Sequence, residues 1–225
     1  MKKKNIFLWL LLFIFLTTYN LDLKEGPINA FFKIKTIEVN GITNADINEI
    51  QQRLEVFNGE NIITIDTKQL IRTIADADFV RDIKVKKIYP DKIQITIDEY
   101  IPAGVFVDNN EDKYIVFENG KIIKNYNKEF ESLPLLYGKN ANKNFGLFYK
   151  NLKETNFEIN LVDHFRYFES NRWDILLKDG KLLKLPSEHN KSVESIKKFL
   201  SIYKKEKFKT FKVFDFRVKN QIIIK

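Results

Sequence analysis

The sequence predicts an α+β chain, two folded units behind an apolar N-terminal helix, and three patterns support that reading. Apolar residues alternate with polar ones at Ile37/Val39, Ile83/Val85 and Ile93/Ile95/Ile97, the period of a half-buried strand. Between the first two runs stand two segments with apolar residues at helical spacing, Ile47/Ile50/Leu54 and Leu70/Ile71/Ile74. Beyond Phe106, turn signals such as Asn119-Gly120 and Asp179-Gly180 space further short strands, with one clear helix late among them. With 44% hydrophobic and 30% charged residues, a chain of 225 residues can build real cores.

Lys2, Lys3 and Lys4 precede an unbroken apolar run from Ile6 to Leu16, followed by Thr17, Thr18 and Tyr19 and then by Asn20 and Asp22. Such a run is an export or membrane signal, and its positive flank stays cytoplasmic. Spanning a bilayer core takes about 20 residues, more than Ile6 to Tyr19 supply, and the length suits a cleavable signal peptide. No small-x-small cleavage site follows closely, whereas the lysines can snorkel and Trp9 and Tyr19 can sit near headgroups. The expectation is therefore a cytoplasmic tail over residues 1–5, an uncleaved signal anchor over 6–19 and a linker over 20–31, with everything beyond exported.

The first folded unit is expected over residues 32–104. Lys33 to Asn40 reads as a strand closed by a turn at Asn40-Gly41. Thr43 with Asp46 reads as the capped start of a helix that Asn58-Gly59 ends. Asp66 and Gln69 open a second short helix. Ile83 to Glu99 reads as a hairpin turning at Tyr89-Pro90-Asp91, and Pro102-Ala103-Gly104 marks the end of the unit. The order strand, helix, helix, strand, strand places two helices on one face of a small sheet.

The second unit, residues 105–225, is expected to be mostly antiparallel. Its strands are Tyr114 to Phe117, Lys121 to Lys124, Leu133 to Tyr137, Leu161 to Phe168, Trp173 to Leu177 and Leu182 to Leu185, with a short helix over Gly146 to Leu152. After Pro186, with Ser187 as cap, a helix buries Val193, Ile196, Leu200 and Tyr203. Phe211 to Phe216 and Gln221 to Lys225 close the chain as strands. The last one offers a row of backbone donors and acceptors beside Ile222, Ile223 and Ile224 if it lies at a sheet edge; otherwise these isoleucines are core.

The residues point away from catalysis. Cysteine is absent, which removes disulfides, thiolate zinc sites and cysteine nucleophiles. No serine stands in a Gly-x-Ser-x-Gly context, and the only imidazoles are His164 and His189. Asp163 and His164, adjacent on a strand, are expected to point to opposite faces and not to orient one another. No metal-ligand spacing or Gly-rich phosphate loop occurs, so catalytic, cofactor and metal residues are expected to be none. The net charge of +8 is carried almost wholly by lysine, with arginine, the better reader of phosphate and bases, scarce. Neither a nucleic-acid partner nor a small-molecule substrate is expected. The run Lys204-Lys205-Glu206-Lys207 reads as a solvated helix end.

The strand-helix-helix-strand-strand order, with Ile37-Glu38-Val39-Asn40-Gly41, the run from Phe79 to Asp91 and Glu99-Tyr100-Ile101-Pro102-Ala103, resembles a POTRA domain of the FtsQ/DivIB family. Asn119-Gly120-Lys121-Ile122-Ile123, Leu133 to Gly138, Arg172 to Leu177, Leu185-Pro186 and Phe214-Asp215-Phe216-Arg217 are similar to that family's β-rich second domain, in the same order. The resemblance implies a non-enzymatic, single-pass protein of the bacterial inner membrane, periplasmic beyond its anchor and concentrated at the division septum. It implies capture of FtsB and FtsL among the divisome membrane proteins, with FtsB adding a strand at the C-terminal sheet edge. It places partner contacts at Arg172, Trp173, Arg217, Val218, Asn220, Ile222, Ile223 and Ile224; the sequence departs from the family at Val218, where an aromatic is common. The segment Ile83 to Tyr89 is a second partner surface if it forms the POTRA edge. A rival reading is a polypeptide-transport chaperone, since POTRA units serve there too, but in series or ahead of long membrane-strand arrays.

Overall fold

The computed structural model describes residues 3–18, 30–219 and 221–225. The expectations for Met1 and Lys2, for Tyr19, for the linker over 20–29 and for Asn220 lie outside the described residues. The chain divides into two compact units, Met1–Glu99 and Tyr100–Lys225. The N-terminal apolar run forms α1 (Lys3–Thr18), with Phe7, Leu8, Trp9 and Phe13 exposed. At 1.5 Å per residue α1 is about 24 Å long. No helix among the described residues is long and apolar enough to cross a membrane.

In the first unit β1 (Thr36–Asn40), α2 (Ile47–Leu54), α3 (Thr67–Ile74), β2 (Val80–Ile88) and β3 (Lys92–Glu99) follow the expected order. The sheet runs β1-β3-β2, with β1 parallel and β2 antiparallel to β3. Ile50, Leu54, Leu70 and Ile74 of the helices and Ile93, Ile95 and Ile97 of the central strand are buried, as their spacing requires. Strand β1 begins three residues later than the sequence suggests. Lys33 bridges Asn61 instead, and Ile34 exchanges backbone hydrogen bonds with Glu60 and Gly59.

The cap of α2 is Asp46 rather than Thr43. The Asp46 carboxylate accepts from the N–H groups of Asn48 and Glu49, while the Thr43 N–H is already held by Glu99. Helix α2 stops at Leu54, and a 3-10 turn over Glu55–Phe57 carries the chain on to Asn58. Asp66 caps α3 as expected, accepting from Lys68 N–H at 2.9 Å.

The Glu99 carboxylate accepts from the N–H groups of Thr43, Asn44 and Ala45 and from the Asn44 side-chain amide, all at 2.9–3.1 Å. Desolvation pushes its pKa up, but these donors outweigh that and hold it below the usual range. A depressed folded-state pKa stabilises above the unfolded value, near 4.3, and that contribution is lost as the pH falls through the folded value. Glu99→Gln is thus expected to cost about 1–2 kcal/mol at pH 7 and progressively less below pH 4. Urea unfolding of both chains at several pH values checks this; a pH-independent difference contradicts it.

The second unit is built on one nine-stranded sheet in the order β12-β11-β10-β9-β8-β7-β4-β5-β6. Its strands are β4 (Pro102–Val107), β5 (Lys113–Phe117), β6 (Ile122–Ile123), β7 (Leu135–Tyr137), β8 (Val162–Phe168), β9 (Arg172–Leu177), β10 (Leu182–Lys184), β11 (Val213–Asp215) and β12 (Ile223–Ile224). Pro102-Ala103-Gly104, read from sequence as an end signal, instead opens β4. Five neighbouring pairs are antiparallel and three parallel: β4–β7, β7–β8 and β10–β11.

Two of the parallel pairs arise because a helix carries the chain back between them: α4 (Ala141–Glu154) joins β7 to β8, and α5 (His189–Tyr203) joins β10 to β11. Helix α4 is twice the length expected. Gly146 inside it is no breaker but a contact point, where an added Cβ would come within 2.6 Å of the Asn119 carbonyl oxygen. Glu188, not Ser187, precedes α5, and no side chain caps it. The buried face of α5 is Ser195, Ile196 and Phe199, with Val193, Leu200 and Tyr203 at its half-buried flanks.

Candidate functional site

Most of the residues singled out by sequence meet at the β9–β12 end of the large sheet. The register carries one row of side chains across it: Arg166 of β8, Asp174 of β9, Lys184 of β10, Asp215 of β11 and Ile223 of β12. The opposite row is Phe165, Ile175, Leu183, Phe214 and Ile224; the first four are fully buried and Ile224 packs against the same core. One face of the sheet is thus apolar and covered, and the other carries charges that alternate in sign from strand to strand, an attractive arrangement.

Two arginines extend this row. Arg217 Nε donates to Asp215 Oδ1 at 2.8 Å and its Nη2 to Oδ2 at 2.5 Å, a fork that fixes the guanidinium while leaving it 40% exposed. Arg172 stacks 4.0 Å above the Phe168 ring, its Nε 3.3 Å from Asp174 Oδ1; both of these atoms are buried and neither has a hydrogen-bond partner. Asp174 and Asp215 consequently titrate in opposite directions. Desolvation pushes Asp174 above the usual range against the attraction of Arg172, Lys184 and Arg217, whereas the Arg217 hydrogen bonds hold Asp215 below it.

The signs give a paired prediction. The contribution of Asp215 is complete above an unfolded pKa near 3.9 and disappears as the pH falls through its lower folded value; that of Asp174 is present in acid and lost as the pH rises through its raised value. Asp215→Asn is expected to lower the Tm at pH 7 by several degrees, the scale of about 1 kcal/mol, and to converge with the unsubstituted chain in acid. Asp174→Asn is expected to match or exceed that chain at pH 7. Thermal scans from pH 3 to 7 decide it, and equal losses in both variants at pH 7 contradict it.

Beside the row a groove of about 660 Å³ opens, lined by Arg172, Arg217, Val218 and Ile222 together with Lys191, Glu194 and Lys198 of α5. Val218 is 42%, Ile222 37% and Ile223 39% exposed. Trp173 does not join them. It is buried, stacked 4.4 Å from Phe148 and 4.9 Å from Tyr167, because the pleat turns it to the helix-covered face that Arg172 avoids. Trp173 is thus a core residue, on the face of the sheet opposite Arg172.

Strand β12 is the outermost strand. Val213 and Lys225 exchange both backbone hydrogen bonds, at 3.0 and 3.1 Å, so by antiparallel alternation Phe214 and Ile224 are a non-bonded pair. The N–H and C=O of Ile224 therefore face away from β11. Strand β2 likewise forms one edge of the first unit's sheet, with Lys84 and Lys86 exposed on it.

The sequence reading missed Asp174, Lys184 and Asp215, although an acidic residue inside an apolar run, as in Trp173-Asp174-Ile175 and Phe214-Asp215-Phe216, was the signal for them. It also misjudged Asp163 and His164. His164 Nδ1 and Asp163 Oδ2 are 2.8 Å apart, because a register shift between Val162 and His164 breaks the alternation that would separate them. Among the described residues no group of three or more His, Asp or Glu side chains is placed to hold a metal ion.

Two family models match the chain: a POTRA domain of FtsQ type over residues 32–100, and the C-terminal domain of cell division protein FtsQ/DivIB over residues 105–217. The chain is 26% identical over 160 residues to cell division protein FtsQ of Rhizobium meliloti (strain 1021), covering 71% of this chain and 52% of that protein. Against cell division protein FtsQ of Rickettsia bellii (strain RML369-C) it is 24% identical over 195 residues, 86% of this chain and 72% of the relative. Cell division protein DivIB of Macrococcus caseolyticus (strain JCSC5402) is 29% identical over 104 residues, 46% of this chain and 35% of the relative. The chain spans about half the length of several of the curated relatives it matches.

Proposed function

Because the chain belongs to the FtsQ/DivIB family of cell division proteins, we propose that it is a non-enzymatic scaffold of the bacterial divisome, holding FtsB and FtsL and linking them to septal cell-wall synthesis. The observation that carries this reading is the outermost position of β12, whose Ile224 peptide groups face away from the sheet. A partner segment that adds a strand there gains backbone hydrogen bonds, and alternate side chains give it selectivity. On one face it meets Ile223 and the charged row; at the rim it meets the groove of Arg172, Arg217 and Val218. Arg217, fixed by Asp215 yet exposed, and Arg172 favour an acidic partner segment. Trp173 supports this surface from behind rather than touching the partner. The β2 edge is a second docking strand for divisome proteins, with lysines that keep it from self-pairing.

In this reading α1 anchors the chain as a single-pass protein of the inner membrane. Both units lie in the periplasm, and the protein concentrates at the septum. A helix of about 24 Å is shorter than a 30 Å hydrocarbon core, and local thinning of the bilayer absorbs the difference.

The test is cell length during depletion of the protein in its native host, with rescue by the full chain and by a chain ending at Asn220. Filaments rescued by the full chain alone support scaffolding through the last strand. Normal division with damaged outer-membrane assembly overturns it in favour of a polypeptide-transport role.

A further inference from the structure

Away from the β12 edge, a second cavity of about 270 Å³ lies in the second unit between α4, α5 and the β8–β9 turn. Its twelve lining residues include no Lys, Arg, Asp or Glu. In a chain that is 30% charged, whose β12-side groove has seven charged residues among the fifteen that line it, that selects against an ionic ligand. Seven of the twelve are instead polar: three amides, an imidazole and three hydroxyls.

Several of these polar groups retain free capacity. Asn151 Nδ2 donates to the Leu147 carbonyl at 2.5 Å and lies 3.1 Å from His189 Nδ1, which orients both side chains. That leaves Asn151 Oδ1 and His189 Nε2 without a partner among the described residues. Asn144 Nδ2 donates to the Asn140 carbonyl and Asn171 Oδ1 accepts from Tyr167 Oη, leaving Asn144 Oδ1 and Asn171 Nδ2 open. Donors and acceptors therefore converge from two helices and a turn. Beside them Val193 and the 64% exposed Leu147 offer apolar surface, backed by the buried Trp173, Phe148 and Ile196.

We infer that this cavity binds one ring of an uncharged pyranose sugar. Such a ring offers hydroxyl groups that both donate and accept around its edge, and C–H surface on its faces, the two chemistries this lining supplies. The volume falls just below the range of drug-sized sites and suits a single ring. An acetamido substituent adds one donor, one acceptor and a methyl group, so an N-acetylhexosamine uses the amides and the apolar surface of Val193 and Leu147 more fully than a plain hexose. This site is separate from the β12 edge, and partner capture does not depend on it.

The test uses the full chain, isotopically labelled, in a detergent without a sugar headgroup. The two indole N–H signals are assigned with Trp9→Phe, and the Trp173 signal is followed during titration with N-acetylglucosamine, its β-1,4 trisaccharide, glucose and glucuronic acid. A ligand of about 15 non-hydrogen atoms at ordinary efficiency reaches a Kd on the order of 1 mM. The expected result is a saturable shift with N-acetylglucosamine in that range, at least tenfold weaker in Asn144→Leu and in Asn171→Gly, which keeps the left-handed backbone at residue 171. Both variants should retain the dispersed spectrum, with Asn171→Gly melting a few degrees earlier because Tyr167 Oη loses its acceptor. Tighter binding of the trisaccharide identifies a glycan strand as the ligand, and equal binding a free monosaccharide. No saturable shift by tens of millimolar, unchanged binding in both folded variants, or equal binding of glucuronic acid overturns the inference.

Discussion

A chain carrying Ile224→Pro is expected to lose ten- to a hundredfold in affinity for the strand-adding partner proposed above, while its second unit unfolds only a few degrees earlier. The asymmetry follows from the ladder. The Ile224 N–H faces away from β11, so proline removes no bond within the sheet, and an edge strand tolerates proline at such a position. The incoming strand, by contrast, loses a donor and meets the pyrrolidine ring. Ile224 is half-buried against the core, which accounts for a stability loss of about 1 kcal/mol. Ile223→Ser, whose backbone is engaged with Asp215, is the control: it should weaken binding by severalfold at most. Titration of FtsB onto the purified chains measures this. Undiminished capture by Ile224→Pro sinks strand addition at this edge.

Trp173→Ala is expected to cost the second unit about 3–5 kcal/mol, a large part of a typical domain's stability. The indole stacks on Phe148, contacts Tyr167 at 4.9 Å and meets Phe145 edge-on at 6.2 Å, so its loss opens the junction between β9 and α4. Arg172→Ala, one residue earlier and on the other face, removes the Phe168 stack and leaves Asp174 without its nearest cation. It should cost much less in stability and weaken partner capture. Denaturant unfolding with binding measured on the folded fraction separates the two. A Trp173→Ala chain that stays stable but binds poorly contradicts the core assignment.

The α+β class and the order of elements in the first unit were legible in the sequence, because a two-residue period and a helical period are dictated by the pleat and the helical turn alone. Ile93, Ile95 and Ile97 announce a central strand, and Leu70 and Ile74 a helix face, wherever they stand in a fold. The short strands of the second unit were legible too, as were the edge groups of Gln221 to Lys225 and the two arginines, but only as a list of parts. What the sequence left open was whether Ile222, Ile223 and Ile224 are core or edge; the sheet order divides them, with Ile222 and Ile223 exposed and Ile224 against the core.

Local pattern determined which residues form strands and helices, since hydrogen bonding and side-chain period act over a few residues. Only the tertiary structure decided which strand is outermost, that Trp173 faces inward while Arg172 faces out, and that Asp174, Lys184 and Asp215 stand in one row. Those facts depend on register between strands dozens of residues apart. Register is set by packing against α4 and α5 and by bulges such as the one before His164, and no local period encodes either.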